Sequence, residues 1–157
     1  SDLFSTQPDS KLVKQENDIQ ALQQKYLSMV ENAVRMREDG EIDDALDQFK
    51  KILTFLKTHR GEINPDSAVI LTEAALTLYL KEEYQEALKL FDEADEIISQ
   101  LDQEQEYLRT NSFKLRGLVL IALGDYSQAY EYFARALQNY NEGQLDNLLF
   151  STFHIFA

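Results

Sequence analysis

The feature that most limits how this chain folds is a pattern written three times at one period. Tyr126, Ala129, Phe133 and Ala136 lie in the run Gly-Asp-Tyr-Ser-Gln-Ala-Tyr-Glu-Tyr-Phe-Ala-Arg-Ala-Leu (124–137). Tyr84, Ala87, Phe91 and Ala94 repeat that order, and Ile42, Ala45, Phe49 and Ile52 repeat it more loosely. Ala45, Ala87 and Ala129 are 42 residues apart each time. Steps of three and four residues put these side chains on one face of a helix. A fixed period of this length means stacked units, each too small to bury its apolar face alone.

Gly-Asp-Tyr-x-x-Ala-x-x-x-Phe-x-x-Ala-Leu resembles the second half of a tetratricopeptide repeat. The first half of that repeat has a large–small–large triad, which falls here on Phe113, Gly117 and Leu120, on Leu71, Ala75 and Leu78, and on Met29, Ala33 and Met36. The usual period is about 34 residues, so 42 adds about two helical turns per unit. Long repeats of this kind look like those of kinesin light chains and of bacterial Rap-type peptide-sensing regulators. The resemblance spans roughly residues 22–157 and is loosest in the first copy, where Ile52 stands in place of a small residue. It implies an all-α, right-handed solenoid of antiparallel helix pairs. Three repeats are expected, at about 10–60, 64–102 and 103–141, within one domain covering 9–157. Ala75, Ala87, Ala94, Gly117, Ala129 and Ala136 are the small residues that would let paired helices approach.

Local signals place the helices. Residues 1–8 are short, polar and end in Pro8, and read as a flexible lead-in. Asp9 or Ser10 caps a long first helix, which Asp39-Gly40 ends with a left-handed glycine. A second runs from about Glu41 to Thr58, with Lys57, His59 and Arg60 complementing its negative end. Asn64-Pro65-Asp66 opens the third, about 65–80, by cap, first-turn proline and first-turn acid. That helix is apolar almost all round, so it must be covered on most sides. The fourth spans about 84–101, the fifth about 105–123 and the sixth about 126–139. Asp102-Gln103 is the weakest break, having neither Gly nor Pro.

Composition narrows the function. The net charge of −13 argues against nucleic acid, which is held by Lys and Arg facing phosphates. It also disfavours an anionic membrane surface and leaves a basic partner open. With no cysteine there is neither a disulfide nor a thiolate metal site. No apolar run reaches the roughly 18 residues of a membrane span. His59 and His154 lack ligand partners at metal spacing, and the acidic pairs Asp43-Asp44 and Asp92-Glu93 lack a calcium loop. Neither a Gly-rich phosphate loop nor a Gly-x-Ser-x-Gly elbow is written in the chain. No catalytic residue, metal or cofactor is therefore expected, and the compartment stays open.

What remains is the surface that stacked helix pairs make. The resemblance implies a concave groove lined by Leu27, Val30, Val34 and Arg37, then Val69, Thr72, Leu76 and Tyr79, then Asn111, Lys114, Leu118 and Ile121. A terminal-carboxylate clamp of the chaperone-binding type is not implied, because the first two sets carry valines and leucines. An apolar groove with Tyr79 and one lysine suits a protein or peptide partner, either an amphipathic helix or a basic segment. The competing expectation is that these side chains pack under other helices and leave no groove. A scaffold in a larger assembly leads; a ligand- or peptide-sensing module of a signalling protein is the alternative. Residues 144–157 are expected to open a further repeat in a longer chain or to cap this one. Phe150, Phe153, Ile155 and Phe156 there are expected to drive self-association as a homodimer.

Overall fold

A computed structural model of the chain describes residues 9–138. They form six α-helices: α1 (Ser10–Glu38), α2 (Ile42–Arg60), α3 (Pro65–Leu80), α4 (Tyr84–Ile98), α5 (Glu106–Ala122) and α6 (Tyr126–Gln138). No strand occurs among the described residues. The lead-in 1–8 and the segment 144–157, with Phe150, Phe153, Ile155 and Phe156, lie outside them.

The helices pair as α1 with α2, α3 with α4 and α5 with α6, and the turn inside each pair is one motif used three times. Glu41 N–H donates to the Met36 carbonyl, Glu83 N–H to that of Leu78 and Asp125 N–H to that of Leu120, each at 2.9 Å. This six-to-one bond closes a helix whose next residue turns left-handed. That residue is Gly40 (φ 82°), Glu82 (φ 65°) and Gly124 (φ 82°). Positions 40, 82 and 124 keep the 42-residue step, so the period seen in the side chains is also a period of the backbone.

Between pairs the corners differ. Asn64 accepts from Ser67 N–H at 2.8 Å while its amide donates to the Gly61 carbonyl at 2.8 Å, so one side chain fixes both ends of the α2–α3 corner. The α4–α5 corner lacks such a residue. There α4 ends at Ile98, three residues short of the expected end, and a 3-10 turn over Gln103–Gln105 leads into α5. At the other end of the chain, Asp9 is the residue that caps α1, accepting from Lys11 N–H at 3.0 Å.

The small residues sit where helices touch. Ala33, Ala45, Ala75, Ala87, Ala94 and Ala136 are fully buried, and so are Phe49 and Phe91. Helix α3 lies against α2 on one side and α4 on the other, and α5 lies against α4 and α6. One core gathers Tyr26, Phe49, Ile52, Leu56 and Ile70 from α1, α2 and α3. A second gathers Ala75, Phe91, Leu115, Leu118 and Val119 from α3, α4 and α5. Burying a large apolar side chain contributes roughly 1.5–3 kcal/mol, so these contacts carry the fold.

Three arginines join the pairs. Arg37 of α1 reaches α3, with Nη1 2.7 Å from Glu73 Oε2 and 3.3 Å from Thr77 Oγ1. Arg60, at the end of α2, meets Asp66 of α3 and Gln23 of α1 and lies over the Tyr26 ring. Burial, with Asp66 next to it, pushes the Tyr26 phenol well above its ordinary value. Arg116 of α5 donates to Asp92 at 2.8 Å and to Asp95 at 2.7 Å, both on α4, and to Tyr132 of α6 at 3.2 Å. Burial raises the Asp95 carboxyl, opposed by Arg116 and by the Ser112 hydroxyl, which donates to it at 2.8 Å.

Candidate docking surfaces

The groove positions named from the sequence fall on the first helix of each pair, and the structure treats them unequally. On α1, Leu27 is exposed, whereas Val30 and Val34 pack half-buried on the first core. Arg37 is committed to Glu73 and Thr77. On α3, Val69 packs beside Ala68, Ile98 and Leu108. Thr72 is buried and its hydroxyl donates to the Ala68 carbonyl at 2.9 Å. Leu76 and Tyr79 lie half-buried against the second core, with the Tyr79 ring 5.8 Å from that of Tyr84. On α5, Asn111 and Ile121 are half-buried and Leu118 is fully buried.

Lys114 is the one charged residue among the groove positions of α5. It is 9% exposed, and no hydrogen bond or ion pair holds its amine among the described residues. Desolvation by burial lowers its pKa below the ordinary lysine value. The structure therefore joins Leu76, Tyr79 and Leu118 in one apolar cluster, with an unpaired amine one turn of α5 from Leu118. It leaves Leu27 apart in solvent and spends Arg37 on a neighbouring helix.

A second surface lies between the second helices. Helices α2 and α4 flank α3, and the space between them is a furrow whose floor is α3. One cavity of about 620 Å³ is bounded by Leu53 and Lys57 of α2, Leu71 of α3 and Ile97 of α4. Another, of about 490 Å³, is bounded by Leu46 and Leu53 of α2, Leu78 of α3 and Leu90 of α4. Leu53 belongs to both, so the two cavities adjoin along one furrow. The start of α2 faces the start of α4 at one end, and Lys57 faces Glu96 and Gln100 at the other. Sequence reading passed over this face. Its signal was the seven-residue step from Leu46 to Leu53 and from Leu90 to Ile97, a second apolar stripe beside the one that packs inward.

Among the described residues no group of three or more His, Cys, Asp or Glu side chains is placed to hold a metal ion. No described helix is long and apolar enough to cross a membrane. Over the described residues the fold is all-helical, in three consecutive helix pairs. No protein-family model and no curated protein matches the chain.

Proposed function

We propose that this chain is a binding module of the tetratricopeptide-repeat type, a right-handed solenoid whose inner face across α1, α3 and α5 takes a protein or peptide. It acts by recognition, without catalysis. The observation that carries this reading is Lys114. Lys114 is largely buried and partly desolvated, and its amine has no counter-charge among the described residues, so a partner's carboxylate supplies what it lacks. The neighbouring apolar surface of Leu76 and Tyr79 suits leucine-like side chains on the same partner. The three pairs repeat one turn and one set of small contacts, which supports stacking into a shared face.

The test uses labelled ten-residue peptides of leucine and alanine, with and without one central glutamate, titrated by fluorescence polarisation. The glutamate peptide is expected to bind more tightly. Tyr79→Ala is expected to weaken it on the order of 30-fold, as truncating a central aromatic anchor by about 2 kcal/mol does, while helical content stays near wild type. If Tyr79→Ala lowers the melting temperature steeply and leaves affinity unchanged, Tyr79 is a packing residue and the inner-face reading fails.

A further inference from the structure

The furrow between α2 and α4 has a chemistry of its own, distinct from the inner face. Its floor and inner walls are apolar, through Leu46, Leu53, Leu71, Leu78, Leu90 and Ile97. Its charged lining holds eight carboxylates and three lysines, with the acidic excess on the α4 side, since α2 sets Asp43 and Asp47 against Lys50 and Lys57. Two of those lysines are already engaged, Lys57 with Glu62 at 2.7 Å and Lys81 with Asp43 at 2.8 Å. Asp47 on the α2 side and Glu93 and Glu96 on the α4 side are exposed and have no ion-pair partner among the described residues. The lining of α2 from Asp43 to Lys57 runs about 21 Å at the α-helical rise, the length of roughly four turns.

We propose that this furrow is a docking site for a basic amphipathic helix of about 14 residues. The occupant places leucine-like side chains at three- and four-residue steps on the floor. Its Lys and Arg residues lie along the α4 flank, where the unpaired Glu93 and Glu96 face it. An apolar strip bordered by acid along α4 matches an apolar strip bordered by base on one side, and that match sets both affinity and choice of partner. A second copy of this chain fits poorly, because a molecule of net charge −13 brings like charge to an acidic rim. The site stands independently of the inner-face reading, since it shares none of that reading's residues.

The experiment titrates the full chain with a labelled 14-residue helix of leucine and lysine in amphipathic order. Two controls accompany it: the same sequence with glutamate for lysine, and a peptide of equal charge with serine for leucine. The leucine–lysine helix is expected to bind at least about tenfold more tightly than either control. The exposed pair Glu93→Lys and Glu96→Lys is expected to weaken it at least about tenfold, more at low salt than at high. Tyr79→Ala is expected to leave it unchanged. Reversal of Glu16 and Asp18 in the early turns of α1, outside the furrow, is expected to have a small effect. Equal weakening by that control pair means bulk charge attraction and overturns the site. So does unchanged affinity in the Glu93/Glu96 variant with native circular dichroism. A concentration-dependent dimer that Leu53→Gln abolishes assigns the furrow to a second copy and overturns the proposal as well.

Discussion

The ring of Phe133 on α6 lies against the backbone of Gly117 on α5 so closely that a Cβ added there would sit 2.8 Å from Cζ and 2.9 Å from Cε1. The matching positions one and two periods earlier hold Ala75 with Phe91 and Ala33 with Phe49, all fully buried. The last pair therefore packs more closely at this point than an alanine would allow without a shift. Gly117→Ala requires Phe133, which is only half-buried, to slide outward. The strain is offset by the gain of roughly 1 kcal/mol in helix propensity. Its net effect on urea unfolding is expected to stay within about 1 kcal/mol. Gly117→Leu is expected to cost more, by roughly 1–3 kcal/mol of overpacking. Equal stability of the two variants would refute close contact between α5 and α6 at this point.

Glu82 occupies the left-handed position that Gly40 and Gly124 fill in the other two turns. A side chain there costs roughly 1–2 kcal/mol, against the roughly 0.5–1 kcal/mol of extra chain entropy that glycine loses on folding. Glu82→Gly is expected to stabilise the protein by about 0.5–1 kcal/mol, and Gly40→Ala to destabilise it by about 1 kcal/mol. Thermal melts of the two single variants check this. A lower melting temperature for Glu82→Gly would mean that the Glu82 side chain supplies a contact worth more than its strain.

Arg116 is the joint between α4, α5 and α6. Its side chain is 8% exposed, while that of Asp92 is 71% exposed and that of Asp95 is 26% exposed. Removing one partner of a buried pair leaves the other charge uncompensated and costs roughly 3–5 kcal/mol; partial exposure of Asp95 puts Arg116→Ala near the lower end. Asp92→Asn touches only the solvated arm of the joint and is expected to change stability by less than about 1 kcal/mol. Denaturant unfolding of both variants decides it: similar small losses would show that the three helices are held by apolar packing alone.

Lys114 gives the free protein a signature on the alkaline side. Its pKa in the folded protein is lowered by burial, so between that value and the ordinary lysine pKa of about 10.4 the unfolded chain binds more protons. Stability from this group therefore rises with pH across that window and is lowest while the amine is charged. Lys114→Met is expected to raise the melting temperature at pH 7, with the gap to wild type narrowing as pH climbs toward 10. If the inner-face reading holds, the same variant weakens binding of the glutamate peptide while stabilising the free fold. A gap that is constant with pH would place the amine in solvent.

The helices of the described residues and their 42-residue repeat are legible in the residues alone. Both are local or periodic properties: helix formers, Asn64-Pro65 and Gly40 act within a turn of themselves, and the spacing of Ala45, Ala87 and Ala129 needs no three-dimensional knowledge. Tertiary structure decided what those faces do. Glu82 turns left-handed because the pairing of α3 with α4 requires it, against the preference of its own side chain. The α4–α5 corner moved from its expected place because no cap residue fixes it. How far Lys114 is covered could not be read from its position, because whether a helical position faces solvent or a neighbour depends on how closely the adjacent helix approaches. The joints at Arg60 and Arg116 join residues that are neighbours only once three helices are assembled. The furrow has the same origin: α2 and α4 are far apart in sequence, and α3, lying between them, turns their outer leucines and carboxylates into one surface.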